Sequence, residues 1–256
     1  MKKILIIGIG AGNPDYLTVQ AINALNRADV FFVMDKGAAK EKLIALRRHI
    51  IERFVSRRDY RVVQATSPER RADESDTDYR SAVDEMNRDK QQIFERLIAE
   101  ELQDGEVGAF LVWGDPSLYD STIRILESID GRRNGEFDFE VIPGISSVQA
   151  LAAQHRIPLN RIGRSIEITN GRGIADGFPP GVDSVVVMLD SKHTYRQLAH
   201  EDLDIYWGAY VGTPDEILIS GRLRDVMDEI ERVRTEARRT HGWIMDTYLL
   251  RKRDGA

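Results

Sequence analysis

The sequence predicts an α/β protein made of two α/β domains, with a mostly parallel sheet in the first and a mixed sheet in the second. Three observations lead there. In the first half, short unbroken apolar runs such as Lys3 to Gly8 (KILIIG) and Ala28 to Met34 (ADVFFVM) alternate with segments of helical apolar spacing. That is the pattern of strands buried on both faces and joined by crossover helices. In the second half, candidate strands follow one another with fewer helices between them, which suits a mixed sheet. The 256 residues are 42% hydrophobic and 30% charged, a globular composition with room for one large domain or two smaller ones.

The stretch from Ala109 to Ser121 (AFLVWGDPSLYDS) organises the chain. Phe110 to Trp113 run without alternation, and Gly114-Asp115-Pro116 stops them. Glycine can take positive φ and proline lacks an N–H, so the strand ends there. Ser117 or Asp120 is placed to cap the helix that continues through Ile123, Ile125 and Leu126. Ligands of parallel α/β sheets sit beyond the carboxyl ends of the strands. This strand end therefore offers a carboxylate (Asp115), an indole (Trp113) and a phenol (Tyr119) where chemistry usually happens. A plain strand–turn–helix junction with a capping Asp fits the same residues. The domain boundary is expected here, giving domains 1–116 and 117–256.

The other elements follow in order. After the first strand comes Gly8-Ile9-Gly10-Ala11-Gly12-Asn13-Pro14-Asp15, then a helix with Leu17, Ala21, Ala24 and Leu25 on one face. The second strand ends at Asp35-Lys36-Gly37. Lys40 to Phe54 reads as a helix, Tyr60 to Ala65 as a short strand, Thr66 to Asp78 as an exposed polar loop and Tyr79 to Leu102 as a long helix. Phe137 to Ile142 (FDFEVI) alternates as a strand and ends at Pro143-Gly144-Ile145-Ser146-Ser147, before a small-residue helix from Val148 to Gln154. Four strands are expected at Ser165 to Thr169, Ser184 to Leu189, Leu203 to Val211 and Glu216 to Ser220. A helix from Leu223 to Arg234 and a last strand from His241 to Leu250 complete the pattern.

Composition narrows the function. A net charge of −6 leaves no bulk footprint for nucleic acid or an anionic membrane. The chain has no cysteine, which removes disulfides, thiolate metal sites and cysteine nucleophiles. The run Ile4 to Ile7 is too short for a signal segment or a membrane span, so a cytoplasmic protein is expected. His49, His155, His193, His200 and His241 lack metal-ligand spacing, and no metal is expected.

Gly8-Ile9-Gly10-Ala11-Gly12 after a first strand invites a nucleotide-binding reading, and Asp35 stands where a ribose-binding acid would. An NAD(P)-dependent oxidoreductase is thus one alternative. Asn13 stands where the dinucleotide pattern needs Gly or Ala, and Pro14-Asp15 interrupts the start of the helix. Ser146 and Ser147 offer hydroxyls at a helix N-terminus, a place for a polar group or simply a cap. The pairs Arg47-Arg48, Arg57-Arg58 and Arg70-Arg71 read as solvated faces or as receptors for a multiply anionic ligand.

Together GIGAGNPDYLT, LVWGDPSLYDS, VIPGISS and VGTPDEILISGRL resemble, in order and spacing, the four motifs of the tetrapyrrole (corrin and sirohaem pathway) methyltransferases. The resemblance extends over essentially the whole chain. Trp113, where many members have a second glycine before Gly114, and Ala11-Gly12-Asn13, where many have Pro-Gly-Asp, mark a specialised member. The resemblance implies two α/β domains of the tetrapyrrole methyltransferase type with S-adenosylmethionine in the cleft between them, S-adenosylhomocysteine as product, a tetrapyrrole substrate and a homodimer. It further implies C-methylation of a corrin precursor in cobalamin biosynthesis, at C1 with release of acetate; a sister activity at another ring position is the near alternative.

Carried over by position, the cofactor contacts fall on Ala11, Trp113, Gly114, Asp115, Leu118, Ser146, Ser147, Met188 and Gly212. The resemblance also implies that the turn Gly8, Gly10, Gly12 lies near the substrate, with Lys36 a candidate for its carboxylates beside Arg47, Arg48 and Arg172. Methyl transfer from a sulfonium needs alignment and exclusion of water more than a strong nucleophile. Asp115 is expected to stabilise the donor's charge or hydrogen-bond its polar groups. Release of acetate needs a base for water, for which Asp35 is the first candidate and Asp120 the second. Tyr119 is a candidate donor to the developing oxyanion.

Overall fold

The computed structural model describes residues 1–35, 41–68, 76–133 and 135–253. The chain divides into two compact units, Met1–Ile145 and Ser146–Ala256.

The first unit is built on a five-stranded sheet. Its strands are β1 (Lys2–Gly8), β2 (Val30–Asp35), β3 (Arg61–Thr66), β4 (Val107–Val112) and β5 (Phe137–Ile142), in the order β3-β2-β4-β1-β5. Every pairing is parallel. The unbroken apolar runs have a direct cause. Alternate residues of β1 enter opposite cores: Ile4 and Ile6 pack with Phe94, Leu97 and Ile98 of α3 (Asp76–Glu101) and with Ile125, Leu126 and Ile129 of α4 (Thr122–Arg133). Leu5 and Ile7 pack with Ala21, Ala24 and Leu25 of α1 (Val19–Leu25) and with Ile50 and Ile51 of α2 (Glu41–Phe54). A strand covered on both faces has no polar face to show.

The second unit holds β6 (Ile166–Asn170), β7 (Ser184–Met188), β8 (Leu203–Ala209), β9 (Ile217–Arg222) and β10 (Asp246–Lys252), in the order β6-β7-β10-β8-β9. Only the β6–β7 pairing is parallel; β10 is antiparallel to both β7 and β8, and β8 to β9. The sheet is mixed, as the sequence predicts. One face carries Val185, Val187, Ile205, Trp207 and Tyr248 against Leu223, Ile230 and Ala237 of α6 (Leu223–His241). Against β8, β9 and β10 lies α5 (Ser147–His155).

Three elements differ from expectation. The expected boundary at 116/117 falls inside the first unit, because β5 pairs with β1 from Lys2↔Phe137 to Ile7↔Ile142. The last strand starts later than expected, at Asp246, because α6 runs on to His241 and stops at Gly242, whose φ of 74° forms the left-handed cap that glycine adopts at no steric cost. Helix α3 begins at Asp76, inside the segment read as loop. Lys36, Lys40, Arg70 and Arg71 lie outside the described residues.

Candidate active site

The carboxyl ends of β1, β4 and β5 meet through glycines. A Cβ on Gly8 would stand 2.6 Å from the Gly144 nitrogen and 2.9 Å from the Gly114 oxygen. A Cβ on Gly144 would stand 2.2 Å from that same oxygen. No side chain fits there. Gly10 and Gly114 exchange backbone hydrogen bonds of 3.3 and 2.9 Å, both at positive φ (77° and 71°). The structure thus joins four of the predicted site residues, Gly8, Gly10, Gly114 and Asp115, with Ala11 buried beside them.

Asp115 ties this junction. Its Oδ2 accepts the Gly144 N–H at 2.8 Å, and its Oδ1 accepts the Ser117 N–H at 2.8 Å and the Ser117 hydroxyl. Burial raises its pKa, but the hydrogen bonds from Ser117 and Gly144 outweigh burial and hold it below the usual carboxylate range. Asp115 is an anion already engaged by its own fold.

The chain then turns sharply. Tyr119 sits at φ 54° with 45% of its surface exposed. Asp120 accepts the Thr122 N–H at 2.7 Å and so holds the first turn of α4, the capping role foreseen for it. Trp113 and Leu118 are half-buried. Asp35 ends β2, in register with Thr66 at the sheet edge.

The glycine turn after β1 does not lead into a helix. The Asn13 side chain accepts the Asp15 N–H at 2.9 Å and starts a one-turn 3₁₀ segment, Pro14–Tyr16; α1 begins only at Val19. A dinucleotide site needs a helix N-terminus facing the pyrophosphate, and this geometry supplies none.

In the second unit, Ser146 caps α5. Its hydroxyl accepts the Val148 N–H at 3.1 Å and donates to Gln149 Oε1 at 2.5 Å, and Gln149 accepts the Ser146 N–H at 3.1 Å. This reciprocal cap consumes the Ser146 side chain. The Ser147 hydroxyl has no protein partner among the described residues.

Met188 ends β7, paired with Thr247 of β10, whose other neighbour is Gly208 of β8. Met188 and the turn holding Gly212 therefore occupy one edge of the second sheet. Both turns are left-handed: Leu189 has φ 56° and is 63% exposed, Tyr210 has φ 50° and Gly212 φ 81°. Non-glycine residues in that region carry strain and persist where surrounding structure holds them. Behind Leu189, the buried Asp190 carboxylate accepts Lys192 N–H (3.1 Å), Thr194 N–H (2.7 Å), Thr194 Oγ1 (2.9 Å) and the Tyr248 hydroxyl (2.7 Å). Its carbonyl accepts Arg234 Nη2 at 3.2 Å, and Arg234 is itself ion-paired with Asp246 at 2.9 Å. Behind Gly212, Tyr210 donates to the Trp243 carbonyl at 2.6 Å, and Glu216 accepts the Gly212 N–H at 2.7 Å. Sequence reading missed Asp190, Leu189 and Tyr210. Only the Asp-x-x-x-Thr spacing of Asp190 and Thr194 carried a signal, that of a side chain closing a local turn.

Among the described residues, no group of three or more His, Cys, Asp or Glu side chains could hold a metal ion. No helix among them is long and apolar enough to cross a membrane.

Comparison with known proteins extends these observations. Residues 3–227 match the family described as Tetrapyrrole (Corrin/Porphyrin) Methylases. The chain is 52% identical over 252 residues to a precorrin-6A synthase (deacetylating) of Sinorhizobium sp, covering 98% of this chain and 96% of that protein. A crystal structure of a cobalamin synthesis related protein (CobF) from Corynebacterium diphtheriae superposes with a TM-score of 0.84 at 37% identity, covering 99% of this chain and 100% of that one. A uroporphyrin-III C-methyl transferase from Thermus thermophilus, complexed with S-adenosylhomocysteine, shares the fold, with a TM-score of 0.57 at 18% identity over 97% of this chain and 96% of that one. The family match over residues 3–227 and the 52% identity to a precorrin-6A synthase over nearly the whole chain lead to one conclusion: this protein belongs to the tetrapyrrole (corrin/porphyrin) methylases.

Proposed function

We propose that this chain is an S-adenosylmethionine-dependent C-methyltransferase of cobalamin biosynthesis that converts precorrin-5 to precorrin-6A, methylating C1 and releasing acetate. The observation that carries this reading is the 52% identity to a precorrin-6A synthase over 98% of the chain. A homodimer in the cytoplasm, without nucleic-acid or membrane partners, belongs to the same reading.

The residues present suit this cofactor. It carries no phosphate, and the glycine turn offers no helix N-terminus for one. The exposed left-handed turn at Leu189 is a place where a ligand can be read by backbone contacts. Ala11, Trp113, Gly114, Asp115, Leu118, Ser146, Ser147, Met188 and Gly212 are the proposed cofactor contacts. When bound, the cofactor supplies a methyl group on an activated sulfonium. The chain aligns the ring carbon with it and excludes water. With Ser146 occupied in its cap, the Ser147 hydroxyl is the free donor at this helix start. Asp115 contributes fixed negative charge at the strand ends. Asp35 is the proposed base for the water that releases acetate, with Asp120 second and Tyr119 a donor to the oxyanion. Asp120 is the weaker base because its Oδ1 already accepts Thr122 N–H.

Isothermal titration tests the cofactor. Micromolar-range binding of S-adenosylmethionine with no heat from NAD(H) or NADP(H) is the expected result. Nicotinamide binding without S-adenosylmethionine binding would overturn the reading.

A further inference from the structure

The parallel sheet opens at its carboxyl edge. β2 pairs with β4 only from Val30↔Gly108 to Phe32↔Phe110, then continues with β3 alone to Asp35↔Thr66. β4 continues with β1 to Gly8↔Val112. The helices that follow these two strands pack on opposite faces, α2 through Ile50 and Ile51 beside Leu111, α4 through Ile125 and Leu126 beside Val112. Neighbouring strands whose connections leave on opposite faces mark the place where open α/β sheets receive ligands.

The Arg47 side chain reaches the β4 edge of this opening. The Val107 carbonyl faces β2 and accepts the Asp29 N–H at 2.8 Å, while the Val112 carbonyl faces β1 and accepts the Ile9 N–H at 2.9 Å. By the same alternation the Leu111 carbonyl faces the β2 side, beyond the last β2–β4 pair. It accepts Arg47 Nε at 3.1 Å, and Arg47 Nη1 donates to the Leu43 carbonyl at 2.9 Å. Elsewhere in this unit Arg27, Arg53, Arg57 and Arg61 are ion-paired with Glu140, Asp15, Asp29 and Glu106. Among the described residues Arg47 has only carbonyl partners. Burial lowers its pKa to about 10, and Asp120, which pulls the other way, is itself held by Thr122. A guanidinium taken out of water without a paired anion is costly, and an incoming carboxylate relieves that cost. Guanidinium has five N–H donors; the two carbonyls use two, and the remaining donors suit a carboxylate.

We propose that Arg47 receives a carboxylate side chain of the tetrapyrrole at the opening between β2 and β4, and so sets how the ring is presented to the strand ends. This rests on the tetrapyrrole reading above. It separates Arg47 from Arg48 and Arg172, whose side chains are exposed.

Uroporphyrin, a tetrapyrrole whose side chains are all carboxylic acids, serves as probe, and its octamethyl ester as the uncharged control. Fluorescence titration compares the wild type, Arg47→Lys and Arg47→Gln, with S-adenosylmethionine affinity measured on each. Arg47→Gln is expected to weaken uroporphyrin binding about 10- to 100-fold, the range for losing a charged hydrogen-bond partner. Arg47→Lys falls between, keeping the charge and losing the planar fork. Affinity for S-adenosylmethionine and for the ester stays within about twofold, a selectivity that a mere brace for the Leu111 carbonyl does not produce. Equal uroporphyrin affinity in all three proteins overturns the proposal, as does equal loss for acid and ester. If Arg47→Gln does not fold, wild-type affinity for uroporphyrin in Arg47→Lys overturns it. A wild type that binds neither S-adenosylmethionine nor uroporphyrin refutes the underlying reading instead.

Discussion

The Asp115 carboxylate accepts the Gly144 N–H at 2.8 Å across 29 residues of sequence, tying the end of β4 to the end of β5. With Ser117 on its other oxygen, this aspartate holds the turn in which the proposed cofactor contacts lie. Asp115→Asn keeps the shape but loses the charge and one acceptor. We expect it to lower stability by about 1–3 kcal/mol, the range for unsatisfied buried donors, in urea denaturation followed by circular dichroism. The native pKa is depressed, so the stabilising contribution is present above the ordinary carboxylate pKa and is lost as pH falls through the native value. The Asn variant lacks that part of the acid dependence.

Glycines divide by what surrounds them. A Cβ on Gly144 meets the Gly114 oxygen at 2.2 Å, and that neighbour is backbone. Gly144→Ala is expected to cost about 3 kcal/mol or more, since overpacking against backbone finds little relief. Gly131 lies inside α4 with nothing within 4 Å of its would-be Cβ. Gly131→Ala is expected to raise stability by about 0.5–1 kcal/mol through helix propensity. Thermal and denaturant melts of both variants check the contrast.

Two histidines link stability to mild acid. Burial lowers the pKa of His155, whose Nε2 lies 3.0 Å from the Trp207 carbonyl. Burial, then the charge of Arg234 at 2.5 Å, lowers that of His193. Each native pKa lies below the unfolded value of about 6.5, so the unfolded chain binds more protons in that window. Stability is therefore full above about pH 6.5 and falls as pH drops below it. The melting temperature should decline from pH 7.5 to 5.5, and His155→Gln should decline less steeply over that interval.

The division of labour between Asp35 and the cofactor contacts is open to a direct test. Asp35→Asn is expected to leave S-adenosylmethionine affinity within about twofold and to slow acetate release about 100-fold or more, the scale of a lost general base. Unchanged acetate production eliminates Asp35 as the base and moves attention to Asp120.

The sequence reveals the first sheet because its inner strands are apolar on both faces, and apolar runs such as ILII leave few other readings. It does not reveal where the first unit ends. The alternation of Phe137 to Ile142 suggests a half-exposed strand, and an edge strand of a parallel sheet, paired on one side only, shows the same alternation. Helix α6 outruns its obvious pattern because Ala237 and the Arg234 stem close its inner face where the sequence looks uniformly polar. The glycine junction is legible as turns, but its reason, three backbones packed against one another, requires residues 8, 114 and 144 to meet. Arg47 is indistinguishable by sequence from a solvated arginine; only the early end of β2–β4 pairing singles it out.

The most direct test of the whole account is turnover of precorrin-5 with S-adenosylmethionine carrying a labelled methyl group, following label and acetate together. We predict label at C1 and one acetate released for each methyl transferred. Transfer to another ring carbon, or methylation without acetate, would contradict the account and point to a sister activity on the same fold.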